Sequence, residues 1–84
     1  MKIETQGQGI ELLNRALPYS NQMKDIDLKH PNAIYFTWRS GRWKLDLSCG
    51  QVDRVDGGCL IGDDTAMLMS ELVKRELVIK ELAK

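Results

Sequence analysis

Apolar residues recur along the chain with two different periods, and the change of period divides it into segments. Ile10, Leu13 and Leu17 fall at i, i+3 and i+7, with Leu12 and Ala16 widening the face. That spacing predicts a short helix from about Gly9 to Leu17, stopped by Pro18. Gly7 and Gly9 weaken its start, and Lys2 to Thr5 offers a brief strand as an alternative lead-in. Residues 19–32, YSNQMKDIDLKHPN, are polar with isolated apolar positions and end on a His-Pro-Asn turn signal. They read as a connecting loop with Ile26 and Leu28 tucked inward.

From Ala33 to Ser48, AIYFTWRSGRWKLDLS, the period becomes two. Ser40-Gly41 separates two runs rich in aromatic and β-branched residues, which predicts a hairpin. With those two residues as the turn, Trp38 opposes Trp43, Phe36 opposes Leu45 and Ile34 opposes Leu47, so one face is wholly apolar. The other face pairs Arg39 with Arg42, Thr37 with Lys44 and Tyr35 with Asp46. A three-residue turn would set Phe36 against Lys44 and Ile34 against Asp46, so the pattern selects the two-residue turn. Beyond Cys49-Gly50, QVDRV reads as a third, shorter strand, Asp56-Gly57-Gly58 as a turn, and CLI as a fourth strand.

The last segment returns to helical spacing. A helix is predicted from roughly Thr65 to Leu82, capped by Asp63, Asp64 or Thr65 and supported by Glu71 with Arg75 and Glu76 with Lys80 at i, i+4. Its apolar residues form two rows rather than one. Ala66, Met69, Val73 and Leu77 make the first; Leu68, Leu72, Ile79 and Leu82 make the second, with heptad-like spacing interrupted by Arg75. A helix lying on a sheet needs about one such face. The second row therefore packs on the N-terminal helix or on another chain.

These elements predict an α+β fold in a single small domain spanning residues 1–84: a short N-terminal helix, a small antiparallel sheet of three to four strands built on the 33–48 hairpin, and a long C-terminal helix packed on the sheet. At 84 residues folding buries only roughly 60–65% of the unfolded chain's surface, so added partner surface is stabilising. Twelve basic residues balance twelve acidic ones, which argues against a sequence-independent nucleic-acid binder. The N-terminus lacks the apolar run of a signal peptide and no stretch approaches the length of a membrane span, so a soluble cytoplasmic protein with no membrane partner is expected. In that setting Cys49 and Cys59 read as small, reduced core or half-buried residues.

Few arrangements carry chemistry. Cys49 and His30 match no nucleophile-base spacing, and GxSxG is absent. Asp53, Asp56, Asp63 and Asp64 lack calcium-loop spacing and are explained by turns and caps; the two cysteines and one histidine match no zinc pattern. GQG at Gly7 and GGCLIG at Gly57 lack both the full dinucleotide spacing and a GK[ST] ending. The expectation is thus no enzyme, no catalytic residues, no cofactor and no metal. Tyr35, Arg39, Arg42 and Lys44 would form a basic face with one stacking ring, the chemistry single-stranded nucleic-acid binders use. The element order also permits comparison with double-stranded-RNA-binding domains, but the lysine-rich helix start of that family is replaced by Asp63-Asp64-Thr65, which would repel phosphate.

The function read from the sequence is a non-enzymatic protein-interaction module, an adaptor, inhibitor or subunit. It forms a homodimer or binds another protein through Leu68, Leu72, Ile79 and Leu82. The alternative is nucleic-acid binding by the basic face of the hairpin.

Overall fold

A computed structural model describes residues 2–56 and 61–82, with side chains of the last helix described from Asp64 onward. Helix α1 spans Gln6–Ala16, starting earlier than the apolar spacing alone suggests. Thr5 caps it: the Gln8 N–H donates to the Thr5 hydroxyl at 3.0 Å, and the Gln8 side-chain oxygen accepts the Glu4 N–H at 2.8 Å. Two otherwise unpaired donors are satisfied by this Thr-x-x-Gln arrangement. Residues 2–5 form no strand, although the Ile3 N–H reaches the Leu47 carbonyl at 3.1 Å.

Four strands follow in chain order, β1 Lys24–Asp27, β2 Ala33–Trp38, β3 Gly41–Asp46 and β4 Val52–Arg54, each antiparallel to its neighbour in one sheet. The segment expected to be a loop thus contains a single-turn helix, Ser20–Gln22, and the edge strand β1. Ile26 and Leu28 are 40% and 45% exposed rather than tucked inward. A strand of sequence KDID has little apolar alternation to betray it, because it lies at the sheet margin. Helix α2 spans Ile61–Leu82, about 33 Å at the usual rise. Ile61 is helical, so the expected CLI strand fails at its last residue; Cys59 and Leu60 lie outside the described residues. Asp63, Asp64 and Thr65 are inside the helix and do not cap it.

The hairpin has the expected faces but a different register. Its two-residue turn is Arg39-Ser40, with φ of 49° and 64°, the left-handed values of a type I′ turn. Trp38 therefore opposes Gly41, Phe36 opposes Trp43 and Ile34 opposes Leu45; on the reverse, Thr37 opposes Arg42, Tyr35 opposes Lys44 and Ala33 opposes Asp46. A two-residue slip keeps every side chain on its face while changing its partner. The cause is Gly41. It lies on the core face beneath the Trp43 indole, where an added Cβ would come within 2.9 Å of Nε1. The indole folds back over the glycine and donates its N–H to the Trp38 carbonyl at 2.9 Å.

One core joins the layers. Ile34, Phe36, Trp38, Trp43, Leu45, Leu47 and Val52 from the sheet region meet Leu12, Leu13 and Leu17 from the first helix and its end. Ala66, Met69, Val73 and Leu77 from α2 complete it, as the first of the two predicted rows requires. Gly9 brings α1 directly onto the sheet: a Cβ there would lie 2.7 Å from Ile34 Cδ1 and 3.0 Å from Leu47 Cδ2.

The two margins of the sheet differ. At β4, Val52 turns its backbone away from β3, and the buried Ser70 hydroxyl of α2 accepts the Val52 N–H at 2.7 Å. The same hydroxyl lies 2.9 Å from the Ala66 carbonyl and 3.3 Å from the Val52 carbonyl, so its proton serves that pair. At β1 the pairing slips by one residue between Lys24 and Asp27, with Asp25 left-handed at φ 51°. Arg42 Nη1 reaches across from β3 to donate to the Asp25 carbonyl at 2.6 Å and the Thr37 hydroxyl at 2.9 Å, pinning this bulge.

The backbone geometry fixes the sign of three substitutions. Gly7→Ala, which meets only Thr5 Oγ1 at 4.0 Å, stabilises the protein by up to about 1 kcal/mol through helix propensity. Gly9→Ala gains the same propensity but forces three buried methyl-bearing side chains aside, for a net loss of about 1–2 kcal/mol; urea melts of both variants test the opposite signs. Ser40→Gly relieves a left-handed residue at the turn and raises stability by about 1 kcal/mol. A melting temperature at or below the parent's would refute that turn conformation.

Candidate interaction surfaces

The two faces of α2 are sharply divided by burial. Ala66, Met69, Val73 and Leu77 are at most 7% exposed, whereas Leu68, Ile79 and Leu82 are 60%, 51% and 82% exposed and Leu72 is half-buried. The second row packs on neither α1 nor the sheet as a whole; it points outward. Met67 and Val78, at 68% and 37%, extend the apolar surface along one flank. Their row, i, i+4, i+7, i+11, also carries Glu71 and Lys74, which hides it in the apolar spacing. A shallow depression of about 470 Å³ lies on this outer surface, lined by Leu68, Glu71, Leu72, Lys74, Arg75 and Val78.

The charges flanking this surface are not used as the spacing suggests. Among the described residues Lys80 reaches Glu11 of α1 at 3.8 Å rather than Glu76, and the i, i+4 ion pair is Glu11–Arg15 at 3.1 Å. Glu71 and Arg75 form no ion pair with each other.

The hairpin's outer face is less concentrated than its composition implies. Arg39 belongs to the turn, and its guanidinium carbon lies 5.5 Å from the centre of the Trp38 ring, on the tryptophan side. Arg42 is committed to the Asp25 carbonyl and Thr37. Tyr35 is half-buried, with its ring 4.8 Å from that of His30 at a tilt of 55°. Lys44 faces Tyr35 on one side and Asp53 on the other. Of the four residues expected to act together, Tyr35, Arg42 and Lys44 share a face that also holds Asp46 and Asp53, and Arg39 departs from it.

On the opposite side the two indoles meet edge to face, with ring centres 6.4 Å apart and planes at 66°. Trp38 donates to the Pro18 carbonyl at 3.1 Å. Arg54 covers Trp43 at 5.4 Å and donates to both oxygens of Asp56, of which Oδ2 also accepts the Arg42 backbone N–H. Asp56 thus joins the β3 start to the β4 end, and Asp53 accepts from Gln51 at 3.1 Å. No group of three or more potential metal ligands occurs among the described residues. None of the described helices is long and apolar enough to cross a membrane. Cys49 is exposed in the β3–β4 connection, and Cys59 lies outside the described residues.

That connection is organised by Asp46. The Ser48 hydroxyl and backbone N–H donate to its Oδ1 at 2.6 and 2.8 Å, while the Gly50 N–H closes on its carbonyl at 2.8 Å. The Ser48 hydrogen bonds, helped by the charge of Lys44, hold the Asp46 carboxyl below its ordinary value. No protein-family model, curated protein or solved structure matches the chain.

A carboxyl with a depressed native pKa stabilises the fold above 3.8, the ordinary aspartate value, and loses that contribution as pH falls through the lower native value. Asp46→Asn is therefore less stable than the parent at about pH 7, and the difference narrows as the pH is lowered below 3.8. Denaturant melts at both conditions check this; a gap independent of pH would show that the charge contributes nothing.

Proposed function

We propose that this chain is a non-enzymatic protein-association module that pairs with a second copy of itself through the outer face of α2. The observation that carries the reading is the exposure of Leu68, Ile79 and Leu82 on a helix whose opposite row already fills the core. Apolar side chains aligned on one exposed helix face favour burial against a matching surface. That face runs through Leu68, Leu72, Arg75, Ile79 and Leu82 with steps of four, three, four and three, the repeat of a helix-on-helix seam. A chain of this size also gains from extending its small core across a partner.

The nucleic-acid alternative has weaker support. Arg42 is engaged within the sheet, Arg39 lies over Trp38, and acidic side chains share the face with Lys44.

Sedimentation across a concentration series measures the pairing directly. The parent moves from monomer towards dimer as concentration rises. A variant carrying Leu68→Lys and Ile79→Lys stays monomeric with unchanged helicity, because both positions are more than half exposed. A parent that remains monomeric throughout the series would overturn the reading.

A further inference from the structure

We infer that the two α2 helices pair antiparallel, with Arg75 of each set beside Glu71 of the partner subunit; this rests on the self-association proposed above. Two features of the helix choose the direction. In heptad terms Leu68, Arg75 and Leu82 occupy one seam position, and Leu72 and Ile79 the other. A parallel in-register pair stacks each position on its own copy. Arg75 would then meet the partner's Arg75 in the middle of a drying apolar seam, where like charges repel strongly.

An antiparallel pair sets the first position against the second. With the two-fold axis between residues 73 and 74, Leu68 packs on the partner's Ile79, and Leu72 packs on the stem of the partner's Arg75. The Arg75 head group then comes beside the partner's Glu71. Neither Arg75 nor Glu71 has an ion-pair partner among the described residues, so each brings an uncompensated charge to the seam.

The charge distribution along α2 acts in the same sense. Residues 61–72 carry Asp63, Asp64 and Glu71 and no base; residues 73–82 carry Lys74, Arg75 and Lys80 against Glu76 and Glu81. Antiparallel pairing lays the acidic half of one helix along the basic-leaning half of the other, and it opposes the two helix dipoles. Parallel pairing places acidic half on acidic half. The Leu68 to Leu82 seam is about 21 Å long, short enough for the single Arg75 layer to decide the direction.

Disulfide trapping reads the direction. In a background with Cys49→Ser and Cys59→Ser, Leu68→Cys and Ile79→Cys are made as separate proteins, and each is oxidised alone and mixed with the other. A covalent dimer in the mixture, with little in either protein alone, is the expected result. A covalent dimer of Leu68→Cys alone would establish parallel pairing and overturn the inference, as would the absence of any link while the cysteine-free parent still dimerises by sedimentation. A monomeric cysteine-free parent would overturn the self-association itself, a separate failure. As a charge readout, Arg75→Glu weakens dimerisation roughly tenfold or more, and adding Glu71→Arg restores it. A double reversal as weak as Arg75→Glu alone would also overturn the inference.

Discussion

The position of one indole sets the layout of the sheet. Trp43 folds back over Gly41 so that its N–H reaches the Trp38 carbonyl, a geometry only a residue without a Cβ permits. That contact assigns the glycine to the core face and pushes the turn onto Arg39 and Ser40, which accept left-handed backbone for it. Phe36 then sits opposite Trp43, and Arg54 of the next strand lies opposite Trp43 on its other side with its guanidinium over the ring. The wall on which α2 lies is thus built outward from one hydrogen-bonded ring. Strained turn residues are tolerated because the buried aromatic pair beneath them fixes the register.

What the sequence made legible follows from what burial selects. Burial acts on faces, so the period-two alternation of 33–47 and the Ala66, Met69, Val73, Leu77 row identified the core sides of the hairpin and of α2. Register depends instead on whether a glycine serves as a turn residue or as space for a ring. Ser40-Gly41 looks the same in both roles, and only the Trp43 indole decides between them. β1 has no apolar signature in the sequence, because a four-residue edge strand pairs on one side only and needs no apolar pattern. The start of α2 is hidden because Asp63, Asp64 and Thr65 favour caps wherever a helix begins near them, whereas this helix begins at Ile61. The Thr5-x-x-Gln8 cap, by contrast, was a usable signal for α1.

The candidate surfaces divide in the same way. An outward apolar row is a property of helical spacing and survives into the structure unchanged. A basic face made of long side chains does not, because arginine takes whichever acceptor or ring is nearest. Arg42 finds the Asp25 carbonyl two strands away, and Arg39 finds the Trp38 ring. Both contacts use arginine as a structural tie, and the charge composition of a short hairpin is a poor guide to its electrostatic surface.

The Ser70 hydroxyl, which takes both outward-facing backbone groups of Val52 into hydrogen bonds, has a consequence for the fate of the sheet. An exposed strand margin is a template on which further strands add without limit, the route to fibres. Here α2 closes one margin with a side chain, and the charged, bulged β1 spoils the other. The element that shows its apolar row to the surroundings is therefore the same one that seals the sheet. A chain arranged this way exposes an apolar helix face without turning its strands into a seed.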